Sequence, residues 1–386
     1  IQLFSNDSSE SMSIHILVMI AKKRVSMGKY KVAVYTICKN EEKQIERWME
    51  SVKEADLIMV ADTGSTDKSV ELLREKGATV HCIEVIPWRF DVARNKALSF
   101  LPEDIDICVS VDLDEIFDPG WREKLENVWT NTTTRARYSY TCLFYADGSR
   151  GPTFLFNKIH SRTGYRWIKP VHEELEFIGE GEEQIVIEST IQLNHYQDLA
   201  KSRFQYLPLL EMSVEESPNE DRNVHYLGRE YMFHGQHEKG IQMLKRHLSL
   251  ESAKWIEERA ASMRFIARCY LSLNNLSEAK SWLYRAIAEA PNQREPYGEM
   301  FAYQNKEYLL ALCMIEEAFK IKVKPNYYLD EKFCWDETLY DIGGVAAFYV
   351  GLVERALELT KRAMELAPDD QRIRDNFILI QNKLPS

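Results

Sequence analysis

The segment Asp104–Phe117, DIDICVSVDLDEIF, decides how the first half of this chain is read. Ile105, Ile107, Val109, Val111 and Leu113 alternate with Asp106, Cys108, Ser110, Asp112 and Asp114. A two-residue period is that of a β-strand, whose alternate side chains share a face. The pattern predicts a strand with Asp112 and Asp114 side by side at its carboxyl end. Two like charges so close repel and need water, a shared proton or a cation. Asp118-Pro119-Gly120, directly after them, is equally the mark of an exposed strand end running into a turn.

Working upstream, strand and helix signals alternate. KVAVYTIC (31–38), ADLIMVAD (55–62) and ATVHCIEV (78–85) are short apolar runs rich in β-branched residues. Between them, EEKQIERWMESVKE (41–54) places Ile45, Trp48, Met49 and Val52 on one helical face. TGSTDKSVELLREKG (63–77) reads as a turn, a Ser/Thr/Asp helix start with Asp67 as cap, a helix and a glycine stop. FDVARNKALSFL (90–101) is a third helix. A β-α-β-α-β-α-β order predicts a mostly parallel sheet covered by helices. Ligands of such sheets bind at the carboxyl ends of strands. Those ends are Cys38-Lys39-Asn40-Glu41, Asp62-Thr63-Gly64-Ser65 and Asp112-Leu113-Asp114, three polar, acid-bearing termini on one edge.

Downstream, residues 135–197 read as mixed strands and loops, and beyond Asp198 a helical repeat takes over. Ala279, Leu283, Ala286 and Pro291 recur in spacing as Ala356, Thr360, Ala363 and Pro368. Ala267 and Tyr270 precede the first set as Gly344 and Ala347 precede the second, and an earlier copy runs Leu227-Gly228, Tyr231, Gly240, Leu244. Small residues where helices cross and a proline after the second helix resemble the tetratricopeptide repeat, a helix pair of about 34 residues. A third copy around Phe301–Ala318 is irregular, and the insertion KPNYYLDEKFCWDE (324–337) precedes the last. The expected layout is an N-terminal extension at 1–29, disordered or foreign to the fold, an α/β domain at 30–200 and a helical repeat domain at 201–386.

A formal net charge of −11 argues against general nucleic-acid binding. The seven cysteines are scattered without a CxxC pair, which points to a reducing compartment rather than a cysteine metal site. IHILVMIA (14–21) is far short of the roughly 20 residues that span a bilayer. The expected location is cytoplasmic, with no transmembrane segment.

Four of these stretches, VAVYTICKNEEKQIERWMESV, IMVADTGSTDKSVELL, FDVARNKAL and VSVDLDEIF, in that order resemble the family 2 glycosyltransferases of GT-A fold. GYRWIKPVHEELE (164–176) and NHYQDLAKSRFQYLPLLE (194–211) are similar to a branch holding lipooligosaccharide β-1,4-glucosyltransferases and peptide S-glycosyltransferases with C-terminal tetratricopeptide repeats. The resemblance implies a metal-dependent, inverting hexosyltransferase that uses a nucleotide sugar, most commonly a UDP-sugar. By that likeness Thr36 to Asn40 pack along the base, Glu41 and Asp62 approach the nucleoside, and Arg94 lies near the diphosphate. Asp114 is the expected ligand of Mn²⁺ or Mg²⁺, and Asp112 a second ligand or the ribose partner. Independently of the likeness, a departing diphosphate needs its charge neutralised, and these hard cations take one or two carboxylates.

His195, in phase with Ile191 and Leu193, is either a core histidine or a third metal ligand. Inversion requires a base for the acceptor proton; Glu173, with His172 beside it, is the candidate. Arg94 has the alternative of an ordinary helix-surface ion pair, and Trp167 that of a core tryptophan instead of a sugar platform. The acceptor is expected to be a saccharide, a peptide or another macromolecule held with help from the repeats, which also suit self-association into a homo-oligomer. Two rivals remain: a repeat scaffold with a vestigial, inactive nucleotide-sugar domain, and a nucleotidyltransferase. The second would carry a glycine-rich basic loop where this chain has CKNEEKQ.

Overall fold

The computed structural model describes residues 28–145, 148–197, 206–299, 306–325 and 329–383. The extension expected at 1–29 lies outside the described residues except for Gly28 and Lys29. The chain divides into two compact units between residues 201 and 202.

The first unit is built on β1 (Val32–Cys38), β2 (Leu57–Asp62), β3 (Thr79–Cys82) and β4 (Ile107–Ser110), alternating with α1 (Ile45–Val52), α2 (Ser69–Glu75) and α3 (Phe90–Ser99). β1 pairs in parallel with both β2 and β4, and β2 with β3. β5 (Glu115–Phe117), β6 (Arg135–Thr141), β7 (Thr153–Ser161) and β10 (Ile185–His195), with α4 (Trp121–Val128), complete an eight-stranded sheet of order β3-β2-β1-β4-β7-β6-β10-β5. β8 (Tyr165–Ile168) and β9 (Glu174–Phe177) form a separate antiparallel ribbon.

β1 is buried on both faces. Val32 and Val34 join the core that holds Trp48 and Val60, while Ala33 and Tyr35 join the core of Ala97, Leu98 and Trp167. This two-sided burial explains its nearly unbroken apolar run. α1 buries Ile45, Trp48, Met49 and Val52, the face its spacing predicts. Each such side chain contributes roughly 1.5–3 kcal/mol of hydrophobic free energy.

The expectation of one strand running through Asp114 is corrected. β4 stops at Ser110, and Asp112 and Asp114 lie in the turn between β4 and β5. Glu115 causes the break: its backbone N–H donates to Asp112 O at 2.9 Å, and its carboxylate accepts the Asp112 N–H at 2.9 Å. That closed pair replaces the ladder.

The second unit is helical: α5 (Tyr206–Glu216), α6 (Asp221–Phe233), α7 (His237–Ser249), α8 (Ile256–Ser272), α9 (Leu276–Glu289), the short α10 (Glu295–Gly298), α11 (Tyr308–Lys320), α12 (Thr338–Tyr349), α13 (Val353–Leu366) and α14 (Gln371–Gln381). The repeat positions lie at helix crossings: Ala267, Ala279 and Ala356 are fully buried. A Cβ on Gly228 of α6 would stand 2.6 Å from Leu244 Cγ of α7, so this approach admits no side chain. The irregular third copy lies partly outside the described residues, at 301–305; in the insertion that follows it, Glu331 accepts from Arg268 at 2.8 Å, tying the inserted loop to α8.

Candidate functional site

Strand order reverses beside β1, whose neighbours β2 and β4 are reached by crossovers in opposite directions, and the carboxyl end of such a switch is where a crevice opens. The loops after β1 and β2 are laced together. Asn40, at φ 56°, accepts the Thr66 N–H at 2.7 Å and donates its own N–H to Ser65 Oγ at 2.9 Å. The Glu41 N–H donates to Ser69 Oγ at 2.8 Å, and the Glu42 N–H to Asp67 at 3.2 Å. Asp67 also accepts the Ser69 N–H at 2.9 Å, the helix-start role its position predicts. Asp62 reaches the same edge, but its carboxylate accepts from Gly64 N and Ser65 N, both at 3.1 Å, and from Ser65 Oγ. It organises its own turn here. Thr36 lies inside the sheet, 1% exposed and paired with Val60, so a base reaching this edge meets the residues after it.

Around the β4 turn the structure assembles charges. Arg94 of α3, 4% exposed, grips Asp112 with both nitrogens of its fork: Nη1 to Oδ1 at 2.7 Å and Nη2 to Oδ2 at 2.9 Å. Its Nε donates to Glu173 Oε1 at 2.6 Å. The surface ion pair considered for Arg94 is thereby excluded, because a buried guanidinium joins the two groups. Lys158 of β7 adds a contact to Asp112 Oδ2 at 3.2 Å and stands 3.6 Å from Glu115. Burial alone would raise the Asp112 pKa; Arg94 and Lys158 overcome it and hold the carboxyl far below the ordinary range. Glu115 goes the other way. Burial pushes it up, Lys158 opposes, and the neighbouring charges of Asp112 and Asp114 add to the rise.

Asp114 faces His195 at the end of β10, Oδ2 to Nε2 at 3.3 Å, with Nδ1 of the ring 3.3 Å from Cys142 O. Burial by itself would lower the His195 pKa, and the Asp114 carboxylate more than reverses it, so the imidazole stands above its usual value. Of the three metal ligands expected, Asp114 and His195 are brought together. Asp112 is instead turned to Arg94 and Lys158, whose bonds take three of its roughly four lone-pair directions. Among the described residues these three donors do not form a group within 4.8 Å of one another; Asp221, His247 and Glu258 in the helical unit do.

Glu173 enters the site through Arg94, and His172 stays exposed beside it at φ 51°. Trp167 is a core residue: its ring is 2% exposed and its N–H donates to Tyr35 Oη at 2.8 Å. Tyr35 bonds His160 Nε2 at 2.8 Å, and burial pushes the pKa of His160 down to about 3, so this chain behind Arg94 is neutral. Lys158 and Glu115 escaped the sequence reading. Their signal was a single lysine in the strand TFLFNKIHS and an acid directly after the Asp pair.

Residues 33–170 match the model of glycosyl transferase family 2. An uncharacterized glycosyltransferase of Rickettsia bellii (strain RML369-C) is 31% identical over 102 residues, 26% of this chain and 33% of that protein. The chain thus spans about a third of that curated relative. Among solved structures, MamA resembles this chain over 46% of its length and 99% of its own, at 19% identity and TM-score 0.35. TTC0263, a thermophilic TPR protein of Thermus thermophilus, does so over 46% and 89%, at 15% identity and TM-score 0.33. Among the described residues no helix is long and apolar enough to cross a membrane.

Proposed function

We propose that the α/β unit transfers a hexose from a nucleotide sugar, of the UDP class, to a saccharide, peptide or other macromolecular acceptor with inversion at the anomeric carbon. The observation that carries this is the buried fork of Arg94 beside Asp112 and Lys158, at the switch-point edge of a domain matching family 2 glycosyl transferases. Four carboxylates (Asp112, Asp114, Glu115 and Glu173) meet two permanent cations, Arg94 and Lys158. A diphosphate would bring further negative charge to an edge that already has an excess, so binding needs another cation.

Asp114 and His195 suit Mn²⁺ as an oxygen and an imidazole donor; Asp112, held by Arg94 and Lys158, fits the ribose or second-ligand role only after exchanging partners. An ion held there would supply Lewis-acid charge to a departing diphosphate. Arg94 and Lys158 orient the phosphates by the same charge logic, while Asn40, Glu41 and Asp62 border the nucleoside. Glu173 serves as base once its carboxylate is released from Arg94, with His172 the alternative beside it. The helical unit offers the extended surface a macromolecular acceptor or a second copy would need. The inactive-scaffold alternative draws on the closed Arg94–Asp112 pair.

A thermal-shift screen of sugar nucleotides with and without Mn²⁺ tests the reading. One UDP-sugar should raise the midpoint only with metal, Asp114→Ala should abolish the rise, and UDP should be released when acceptor is added. Equal stabilisation of wild type and variant without metal removes the cation role. Binding without release under any acceptor supports the scaffold.

A further inference from the structure

The helical unit contains a second acid–histidine group that the transfer reaction does not use. Asp221 opens α6, His247 lies in the last turn of α7 and Glu258 in the first turn of α8, so three successive helix ends bring them together. One donor atom from each lies within 4.8 Å of the others. Acids at helix starts are ordinary, because the helix dipole favours them there. Two features are not. His247 is fully buried and its Nε2 has no hydrogen-bond partner among the described residues, although it points at Glu258 Oε1 from 3.5 Å. Glu258 is 2% exposed, with Arg222 Nε 4.0 Å from its other oxygen.

The far side of the ring explains how His247 is poised. Ser262 Oγ lies 2.9 Å from His247 Nδ1 and 2.7 Å from His225 Nδ1. One hydroxyl proton serves only one of these nitrogens, and the other must donate. When His247 Nδ1–H donates to Ser262 and Ser262 donates to His225, the lone pair of His247 Nε2 faces the two carboxylates. That is the register in which metal-binding histidines are held, the distal N–H fixed by a second partner.

We propose that Asp221, His247 Nε2 and Glu258 form a zinc-class divalent metal site that clips α6, α7 and α8 together. Zinc bonds to imidazole and carboxylate of about 2.0–2.1 Å give a tetrahedral edge of about 3.4 Å. The 3.5 Å separation of His247 and Glu258, too long for a good hydrogen bond, fits that edge. Three protein donors leave a fourth position for water or a partner's ligand. The ion offsets the two carboxylates and gives the buried lone pair its partner, linking metal binding to folding of the first repeats.

The test uses the full, tag-free chain carrying Asp114→Ala, so that the sheet-edge site cannot contribute. After chelator stripping and dialysis against buffered Zn²⁺, elemental analysis should find one equivalent, with a raised unfolding midpoint. Asp221→Asn and Glu258→Gln should weaken Zn²⁺ at least tenfold with unchanged circular dichroism, and Ser262→Ala by about 10–100-fold. Should Glu258→Gln fail to fold, the half-buried Asp221→Asn decides alone. No bound zinc, or zinc held equally by Asp221→Asn, overturns the site and leaves a purely hydrogen-bonded cluster.

Discussion

Both units set a histidine against carboxylates, and they compensate the charge in different ways. At the sheet edge, Asp112 and Glu173 are held by a buried guanidinium and Asp112 also by Lys158, while Asp114 is left to His195. In the helical unit, Glu258 and Asp221 meet a hydrogen-bonded relay, His247–Ser262–His225, with Arg222 beside it. Fixed cations suit a site that receives an anionic guest and releases it, because they remain when the guest is gone. A bare lone pair between acids suits a small resident cation. The difference lies in where positive charge comes from.

The most damaging way to break that contrast is Arg94→Ala. It strands two largely buried carboxylates, and removing one partner of a buried pair costs about 3–5 kcal/mol. Urea unfolding should show that loss in the transition of the α/β unit, with Arg94→Lys recovering part of it through charge without the fork. The matching change in the helical unit, Arg222→Ala, should cost no more than about 0.5 kcal/mol, since its side chain is 55% exposed. Similar losses in the two variants would show that the compensation schemes do not differ.

Much of the scaffold was legible because its signals are local. The buried face of α1, the parallel strands and the small residues at Gly228, Ala267 and Ala279 follow from period and size alone. The end of β4 was misread because alternation runs on through Leu113, while the Glu115 side chain and N–H close the turn; a side-chain hydrogen bond outweighed the pattern. Arg94 and Glu173 are 79 residues apart, and Lys158 and Asp112 are 46 apart. No spacing rule connects them: β7 lying beside β4 brings Lys158 to Asp112, and the bonds of Phe90 to Pro170 and of Asn95 to Trp167 bring Glu173 to Arg94. The Asp221–His247–Glu258 group is likewise invisible in sequence, because each residue alone reads as helix-end chemistry.

A smaller change sharpens the role of the fixed cations. Lys158→Met keeps the stem and removes the charge at 3.2 Å from Asp112 and 3.6 Å from Glu115. Glu115 is already pushed up by its burial, and removing Lys158 takes away the charge that opposes the rise. The effect should fall on donor binding: about a tenfold higher Kd for the nucleotide sugar by calorimetry, or ~1.4 kcal/mol. A Kd within twofold of wild type would take Lys158 out of the phosphate-facing group.

The finest distinction is in pH, because the two groups hold histidines that titrate in opposite directions. His195 is raised by Asp114 against the pull of burial, so the folded state binds its proton more tightly than the unfolded chain. Its stabilisation is complete below the unfolded value of about 6.5 and disappears as pH rises through the higher folded value. His225 is driven by burial down to about 3. Between about 6.5 and 3 the unfolded chain takes up a proton that the fold refuses, so stability from His225 falls on acidification by at most about 1.4 kcal/mol per pH unit. His160 of the α/β unit shares that sign, which is why each histidine is compared with its own variant. In chelator, the stability of wild type relative to His195→Gln should shrink as pH rises above neutrality, and relative to His225→Gln it should shrink as pH drops from 6.5 toward 5. If the two differences moved in the same direction, the imidazole at the sheet edge would not be held by an acid, and the contrast between a guest-receiving edge and a hydroxyl-bridged histidine pair would fail at its electrostatic root.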